Sequence, residues 1–575
     1  MVGKFFSKTK IVLIVIVLVA SFLRFYKLTV NPPSLFGDEA DLGYQAYSIL
    51  KTGKDYQGNF MPIHFHSLAE WRTPLYLYAA VPTVAIWGIT PLGVRVPAAI
   101  FGILGVLAMY FLIKEITKSE QVGLLSSALL ALSPWDLQYS RAGFEVTQMI
   151  FLFIVGLWLF LVSLKKPKWL WLSVVCLVLT PWVYSTAKFF TPFLLVFLFF
   201  LYFKEILSIS KKYLFYAAIA GLIVGIPIAY SSLFGGGAQR FNYISIFADP
   251  TTEANIGASR QEAARIRGEE GTGISPSLTD RLVYNKFTYW GDNFLKNYLS
   301  AFSTNFLFVK GDPDLRQSIG IGEMYRIEII ALLFGLIFFF ANKKENTKAK
   351  SLVAFWLIVG AVPASLTVDG GNHATRLILL LPFLIFLVSY GWVKVTDLFS
   401  GKNRRIVIAM ISILYLISVF FYLHEYYTAY TWNSERWWHY GWGPAITEIK
   451  SIDSNYDKVI ISMSGEPAWI FFAAYYEYPP AVWQSQYPIG RDVDVPGFGK
   501  ISHTGKFYFG TPDPKIQIYG LGQYIDSKTL YLANAKEMGA NLIMEPGRVP
   551  NGLRLIKAIP FPSGEPAFYL FTGLK

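Results

Sequence analysis

The sequence predicts an α-helical polytopic membrane protein with about eleven transmembrane helices, followed by a C-terminal α/β domain outside the cytoplasm. Three observations predict it. Of 575 residues, 54% are hydrophobic and only 15% charged, where a soluble domain carries roughly 25% charged residues. Apolar runs of about 20 residues, the length that crosses a bilayer as a helix, follow one another along most of the chain. Basic residues collect in alternate connections, the pattern of the positive-inside rule.

Candidate spans start near Ile11, Leu92, Val122, Met149, Trp169, Phe189, Leu214, Ile327, Leu352, Arg376 and Ile406. No small-residue cleavage site follows Ile11–Phe22, so this run is expected to be retained as the first span. The clusters Lys4/Lys8/Lys10, Lys114/Lys118, Lys165/Lys166/Lys168, Lys204/Lys211/Lys212, Lys343/Lys344/Lys348/Lys350 and Lys402/Arg404/Arg405 mark the cytoplasmic side. They account for much of the net charge of +13, which therefore speaks for topology and not for nucleic acid. Pro74–Gly88 is apolar but short, contains Pro82 and has no basic flank. It is expected to lie at the outer interface. The membrane part is then residues 1–423, with outer segments at 29–92, 133–148, 231–325 and 367–376. The tail, 424–575, opens with Trp432, Trp437, Trp438, Tyr440 and Trp442, an interfacial aromatic belt. Strands are expected at Lys458–Met463, Lys506–Gly510, Asn541–Met544 and Ala567–Phe571, with a helix over Ser527–Met538, which together make a small α/β domain. Cys176 is the only cysteine, so no intrachain disulfide forms.

The segment Pro32-Pro33-Ser34-Leu35-Phe36-Gly37-Asp38-Glu39-Ala40 carries the strongest chemical signal. Two adjacent carboxylates follow the first span at the membrane surface, where ionisable groups are costly and usually have a task. Asp38 suits a general base acting on a hydroxyl. The same residues also suit the start of a helix over Ala40–Leu50, where they would cap it and favour its dipole.

The sequence also resembles a family. The segment PPSLFGDEADLGYQAYSILKTG is similar to the first outer loop of GT-C glycosyltransferases of the protein O-mannosyltransferase and aminoarabinose-transferase type (glycosyltransferase family 39 and relatives). EWRTPLYLY, residues 70–78, resembles the family's basic-Pro-Pro-Leu segment, with Arg72 at the basic position and Thr73 in place of the first proline. RVPAAIFGILGVLAMYFL, 95–112, resembles its second span, and SPWDLQYSRAGFE, 133–145, its second outer loop. The resemblance implies an inverting glycosyltransferase that moves a monosaccharide, with mannose the candidate, from a polyprenyl-phosphate-linked sugar. The acceptor is a hydroxyl of a protein Ser/Thr, a lipid or a glycan on the outer face of the cell membrane. It implies Asp38 as catalytic base with Glu39 as its partner, and no cofactor. The lone Gly-Asp-Glu is not the pattern of a nucleotide-sugar enzyme, and no metal site is expected.

The donor phosphate needs cations from outer loops. Arg72 is the first candidate by its match, although an interfacial arginine also snorkels to headgroups. Arg141 is a second, with Glu145 four residues on and on the same face of a helix; the resemblance implies Glu145 as a secondary, substrate-side candidate, and a plain ion pair is the alternative. Lys188 stands on the outer side against the charge rule and so asks for an anionic partner, a donor phosphate or a membrane lipid headgroup. The loop from Thr367 to Arg376 is glycine-rich and ends at a helix start. It suits phosphate, with Arg376 as donor ligand and His373 and Asp369 near substrate, or a simple capped turn. GDPDLRQSIGIGEMY, 311–325, is a further sugar-binding candidate through Asp312, Asp314 and Arg316. Two competing functions are a transporter or flippase of lipid-linked sugars, which would place charges at the midplane of broken helices, and an oligosaccharide transferase.

Overall fold

The computed structural model describes residues 8–68, 70–269, 275–490 and 492–575. Lys4 of the first basic cluster lies outside them. Among the described residues, six helices are long and apolar enough to cross a membrane: Pro91–Thr117, Val146–Ser163, Lys211–Phe234, Thr347–Ser365, Ala374–Asp397 and Gly401–Tyr427. The other expected spans fall on shorter or more polar helices, for local reasons. The helix α1 (Lys8–Phe25) carries Lys8, Lys10 and Arg24. After it come α2 (Gly37–Thr52), the hairpin of β1 (Phe65–Ser67) and β2 (Glu70–Arg72), α3 (Leu75–Trp87) and α4 (Pro91–Thr117). The run near Val122 becomes α5 (Glu120–Leu132), which stops where Pro134 opens α6 (Pro134–Ser140). After α7 (Val146–Ser163), the run near Trp169 is cut to α8 (Leu170–Leu179) by tight turns at Pro167–Trp169 and Thr180–Trp182, each holding a proline. The next, α9 (Ser185–Leu201), has 17 residues, and Glu328–Ala341 has 14.

Burial divides the helices by what they face. The strongest apolar window of Ala374–Asp397 is 89% buried, whereas those of Lys211–Phe234 and Gly401–Tyr427 are 11% and 17% buried. The first lies inside the bundle. The other two present Ile223, Ile226, Leu416 and Phe420 outward, as helices do toward hydrocarbon. The basic connections gather at one end of the bundle. Lys114 and Thr9 both meet Glu120, Lys118 and Lys165 both meet Glu115, and Lys348 meets Glu205 beside Tyr202, which packs on Phe160. The segments that hold Asp38, Arg72, Arg141, Lys188 and Arg376 join the other ends of these helices.

The tail forms a seven-stranded mixed sheet in the order β4-β5-β6-β3-β7-β9-β8. Its strands are β3 (Lys458–Ile461), β4 (Val493–Val495), β5 (Gly499–Thr504), β6 (Phe507–Phe509), β7 (Thr529–Asn534), β8 (Leu553–Pro560) and β9 (Pro566–Gly573). β3 pairs in parallel with β6 and β7, and its Val459, Ile460 and Ile461 are wholly buried, as a strand covered on both faces requires. Two expectations are corrected here. Residues 529–534 are a strand, because the run Thr-Leu-Tyr-Leu-Ala is buried between β3 and β9. Asn541–Met544 is a turn, in which the Asn541 side chain accepts the Ile543 N–H. The aromatic belt also divides: Trp432 and Trp437 are exposed, but Trp438 and Trp442 are buried.

The tail domain sits on the segment after α1. Tyr44 donates to the Tyr478 carbonyl at 2.9 Å, and the Gln484 amide reaches Ser48, Thr52 and the Asp55 carbonyl. The residues of α2, α3 and the start of α4 share one apolar core with Phe471, Phe472 and Trp483 of the tail.

Candidate active site

Phe36 is the N-cap of α2 and has no side-chain oxygen to offer, so Asp38 is the second residue of the helix and not its cap. Its carboxylate is 47% exposed and lies 2.5 Å from Arg72 Nη2. Arg72 Nη1 also donates to the Asp38 carbonyl at 3.3 Å. Arg72 arrives at the end of β2, paired across the hairpin with Phe65. Asp41, one helical turn beyond Asp38, is buried, accepts the Ser67 hydroxyl, and lies 4.0 Å from Arg72 Nη1. Burial pushes its pKa up to about 6, although the Arg72 charge and the Ser67 bond pull it down.

Glu39 points the other way. It is wholly buried, its two oxygens take Arg95 Nε and Nη2 at 2.8 Å each, and Oε1 also accepts the Gly143 N–H at 2.7 Å. Arg95 further donates to the carbonyls of Pro32 and Ser34, so this pair ties the 32–39 segment to α4. Such a carboxylate has no surface left for substrate. Arg141 is likewise internal. Its guanidinium donates to the carbonyls of Leu23 and Asn31 and to the Tyr426 hydroxyl, and it lies over the rings of Tyr426 and Tyr427. The expected shared face with Glu145 does not form, because residues 141–143 are a turn and Glu145 stands just before α7, at its N-cap position.

Lys188 and Arg376 do come together, on the wall of a cavity of about 290 Å³ lined also by Tyr184, Ser232, Phe241 and Thr367. Lys188 Nζ donates to the Gly237 carbonyl at 2.9 Å and lies 3.1 Å from His64 Nε2. Arg376 donates to the Thr367 hydroxyl at 2.7 Å. His64 holds the Ser231 hydroxyl at 2.6 Å on its other nitrogen, and burial pushes its pKa down to about 4, helped by the Lys188 charge. A side chain at Gly237 would collide with His64 Nε2, which explains a glycine there. The cavity and Asp38 are joined by one hairpin. His64 precedes Phe65, the cross-strand partner of Arg72, and Thr73 donates to the Val183 carbonyl at 2.6 Å, next to Tyr184 on the cavity wall. Of the 367–376 loop, His373 lies 3.9 Å from Asp312, which accepts the Ala374 N–H at 2.7 Å, and Asp369 is exposed beside the tight turn Gly370–Asn372. Neither lines the cavity.

Two residues of the tail complete the surroundings of Asp38, and the sequence pattern does not point to either. His439 Nδ1 accepts the Gly37 N–H at 3.3 Å, and its Nε2 lies 3.2 Å from Glu466. The bond to His439 holds the Glu466 carboxyl below its ordinary pKa. Arg316, held through Nε and Nη2 by Asp314, lies over the rings of Phe36 and Trp437 and feels the charges of both Asp38 and Glu466. Asp41, by contrast, was within reach of sequence reasoning, since it shares a helix face with Asp38 at a spacing of three. Among the described residues, no group of three or more His, Cys, Asp or Glu gathers to hold a metal ion.

The sequence profile of the dolichyl-phosphate-mannose-protein mannosyltransferase family matches residues 72–230. No curated protein sequence matches the chain. Among solved structures, ArnT from Cupriavidus metallidurans, bound to undecaprenyl phosphate, superposes with a TM-score of 0.51 at 10% identity, covering 97% of this chain and 97% of that one. The oligosaccharyltransferase of Archaeoglobus fulgidus gives a TM-score of 0.47 at 14% identity over 82% of this chain, which spans only 64% of the archaeal protein. The Pmt1–Pmt2 complex of Saccharomyces cerevisiae, bound to its sugar donor, gives 0.31 at 17% identity over 44% of this chain and 36% of that one. The chain is thus a multi-helix protein with the fold of ArnT, and over residues 72–230 it carries the sequence profile of the dolichyl-phosphate-mannose-protein mannosyltransferases.

Proposed function

We propose that this protein is an inverting glycosyltransferase that moves one sugar from a polyprenyl phosphate to an acceptor hydroxyl, with Asp38 as general base. The observation that carries the reading is the half-exposed Asp38 carboxylate, held by Arg72, one hairpin away from a cavity with Lys188 and Arg376 on its wall. The matching family profile is named for a dolichyl-phosphate sugar, and ArnT was captured with undecaprenyl phosphate. Both support a lipid phosphate in the cavity. The end of Lys211–Phe234 supplies part of its wall, and the rest of that helix is exposed and apolar, so a prenyl chain has hydrocarbon beside it.

The chemistry follows from the parts. The acceptor oxygen attacks the anomeric carbon, its proton passes to Asp38, and the bond from that carbon to the phosphate oxygen breaks with its electron pair on the phosphate. A single displacement inverts the anomeric configuration. A positioned base contributes typically 10²–10⁴-fold. Lys188 and Arg376 offset the charge of the departing phosphate, and Arg72 orients Asp38. Glu39 and Arg141 act on the frame of the site, not on the substrate. The basic loops lie at the far end of the bundle from Asp38, which supports a site and a tail domain on the extracytoplasmic side of the cell membrane.

Two measurements test this. Purified protein given a panel of polyprenyl-phosphate monosaccharides and hydroxyl acceptors should yield a product one sugar heavier by mass spectrometry; no transfer from any donor overturns the reading. A cysteine at exposed Ser527, in a Cys176→Ala background, should react with an impermeant thiol reagent in intact cells. Labelling only after lysis refutes the sidedness.

A further inference from the structure

The tail domain has a crevice that the transfer chemistry above does not use. β3 lies between β6 and β7 and is parallel to both. From β3 the chain crosses to β6 on one side, then returns to β7 on the other. The loops leaving β3 and β7 therefore diverge, and in open α/β sheets this switch point is where ligands bind, outside the carboxyl ends of the strands. Here the loop after β3 supplies Ser464, Gly465 and Glu466, and the end of β7 and the turn after it supply Asn534 and Lys536, around a crevice of about 360 Å³. Arg436 closes one side.

The crevice is built, not accidental. Glu537 accepts the Ser462 hydroxyl and the Tyr531 hydroxyl, which ties the two loops together beneath it. Asn534 donates to the Ser464 carbonyl at 3.2 Å. Gly465 stands at φ 104°, a conformation open to glycine, and lets the loop turn back over the strand ends. One end of the crevice reaches the candidate active site. His439, on its wall, bonds both Gly37, the neighbour of Asp38, and Glu466.

The lining decides the kind of ligand. Arg436 and Lys536 are set against Glu466 and Glu565, so the formal charges cancel and an anion gains nothing by entering. What remains is a ring of donors and acceptors, with the Phe561 ring beneath the Arg436 guanidinium at 5.1 Å. Paired carboxylates, amides and cations around an aromatic edge suit hydroxyl groups, which both donate and accept. We infer that this crevice binds a neutral, polyhydroxylated acceptor, a glycan, and holds one of its hydroxyls toward Asp38; this rests on the transferase reading above.

The test has a binding arm and a transfer arm, both on the full-length protein. A Ser464→Cys, Cys176→Ala protein is labelled by a maleimide with and without methyl α-mannoside, a maltooligosaccharide or a Ser/Thr peptide. Protection by either glycan, and not by the peptide, is expected. Protection by the peptide alone makes the crevice a peptide site and overturns the glycan assignment, and no protection by any probe overturns the crevice itself. In the transfer arm, Lys536→Ala and Glu565→Gln should each raise the KM for a glycan acceptor by about tenfold, the loss of one hydrogen bond to a charged group, with the KM for the lipid donor unchanged. Unchanged acceptor KM in both variants refutes the proposal. Absence of transfer by the wild type refutes the transferase reading instead, and the binding arm still decides whether the crevice holds a glycan.

Discussion

The replacement of Asp38 by asparagine separates chemistry from architecture with unusual clarity in this chain. The helix cap is not at stake, because Phe36 holds that position and makes no side-chain bond. What the variant loses is the ion pair with Arg72, whose Asp38 side is 47% exposed. Exposed pairs are worth about 0–1 kcal/mol, and the asparagine oxygen still accepts from Arg72, as does the untouched backbone carbonyl. Folded yield and thermal stability should therefore stay within about 1 kcal/mol of wild type. Loss of a base aimed at the acceptor hydroxyl lowers kcat by about a hundredfold or more. The assay is transfer from a polyprenyl-phosphate sugar at saturating donor and acceptor, normalised to monodisperse protein from size-exclusion chromatography. Donor binding, followed separately by retention of radiolabelled lipid, should persist. Near-normal kcat in well-folded Asp38→Asn would falsify the base assignment outright.

Other substitutions probe the neighbours of Asp38. Arg72→Lys keeps the charge but cannot bond the carboxylate and the backbone carbonyl together with one planar fork; transfer should fall about tenfold with little change in melting temperature, and full activity would show that charge alone suffices. Glu39→Gln leaves Arg95 buried without its counter-charge, a loss of about 3–5 kcal/mol. It should appear as poor folded yield, whereas a well-folded variant with turnover reduced a hundredfold would return Glu39 to the chemistry. Asp41 gives a pH signature. Its folded pKa is raised from 3.8 to about 6 by burial. The folded state thus binds the proton more tightly than the unfolded one, and this contribution to stability is complete below about pH 4 and lost as pH rises to about 6, at most about 3 kcal/mol. The melting temperature of Asp41→Asn relative to wild type should climb between pH 4 and 6 and then level off; a difference independent of pH contradicts the burial argument.

The relation between sequence and site is clearest in the four arginines at 24, 72, 141 and 376. Charge periodicity puts most of the basic loops at one bundle end and singles out Lys188 at the other, whereas Arg72 stands out by its match to the family's basic position and Arg376 by the glycine-rich loop that it ends. Periodicity says nothing of what each guanidinium touches. Arg24 is consumed by buried Asp136 and Arg141 by carbonyls and tyrosines, and these contacts join residues more than 100 positions apart. The same blindness applies to Glu39. It is adjacent to Asp38 and chemically alike, but successive residues on a helix diverge by about 100°, so one carboxylate faces the cleft and its neighbour the core. In the tail, Thr529–Asn534 reads as part of a helix from its local pattern, and its pairing between β3 and β9 makes it a strand instead. His439 and Glu466 have no local signal at all, since their importance lies in Gly37, some 400 residues earlier in the chain. That contact gives the tail domain a physical stake in the site. A domain that merely decorated the membrane part would have no reason to bond His439 to the helix that carries Asp38, nor to set a polar crevice at the end of that bond.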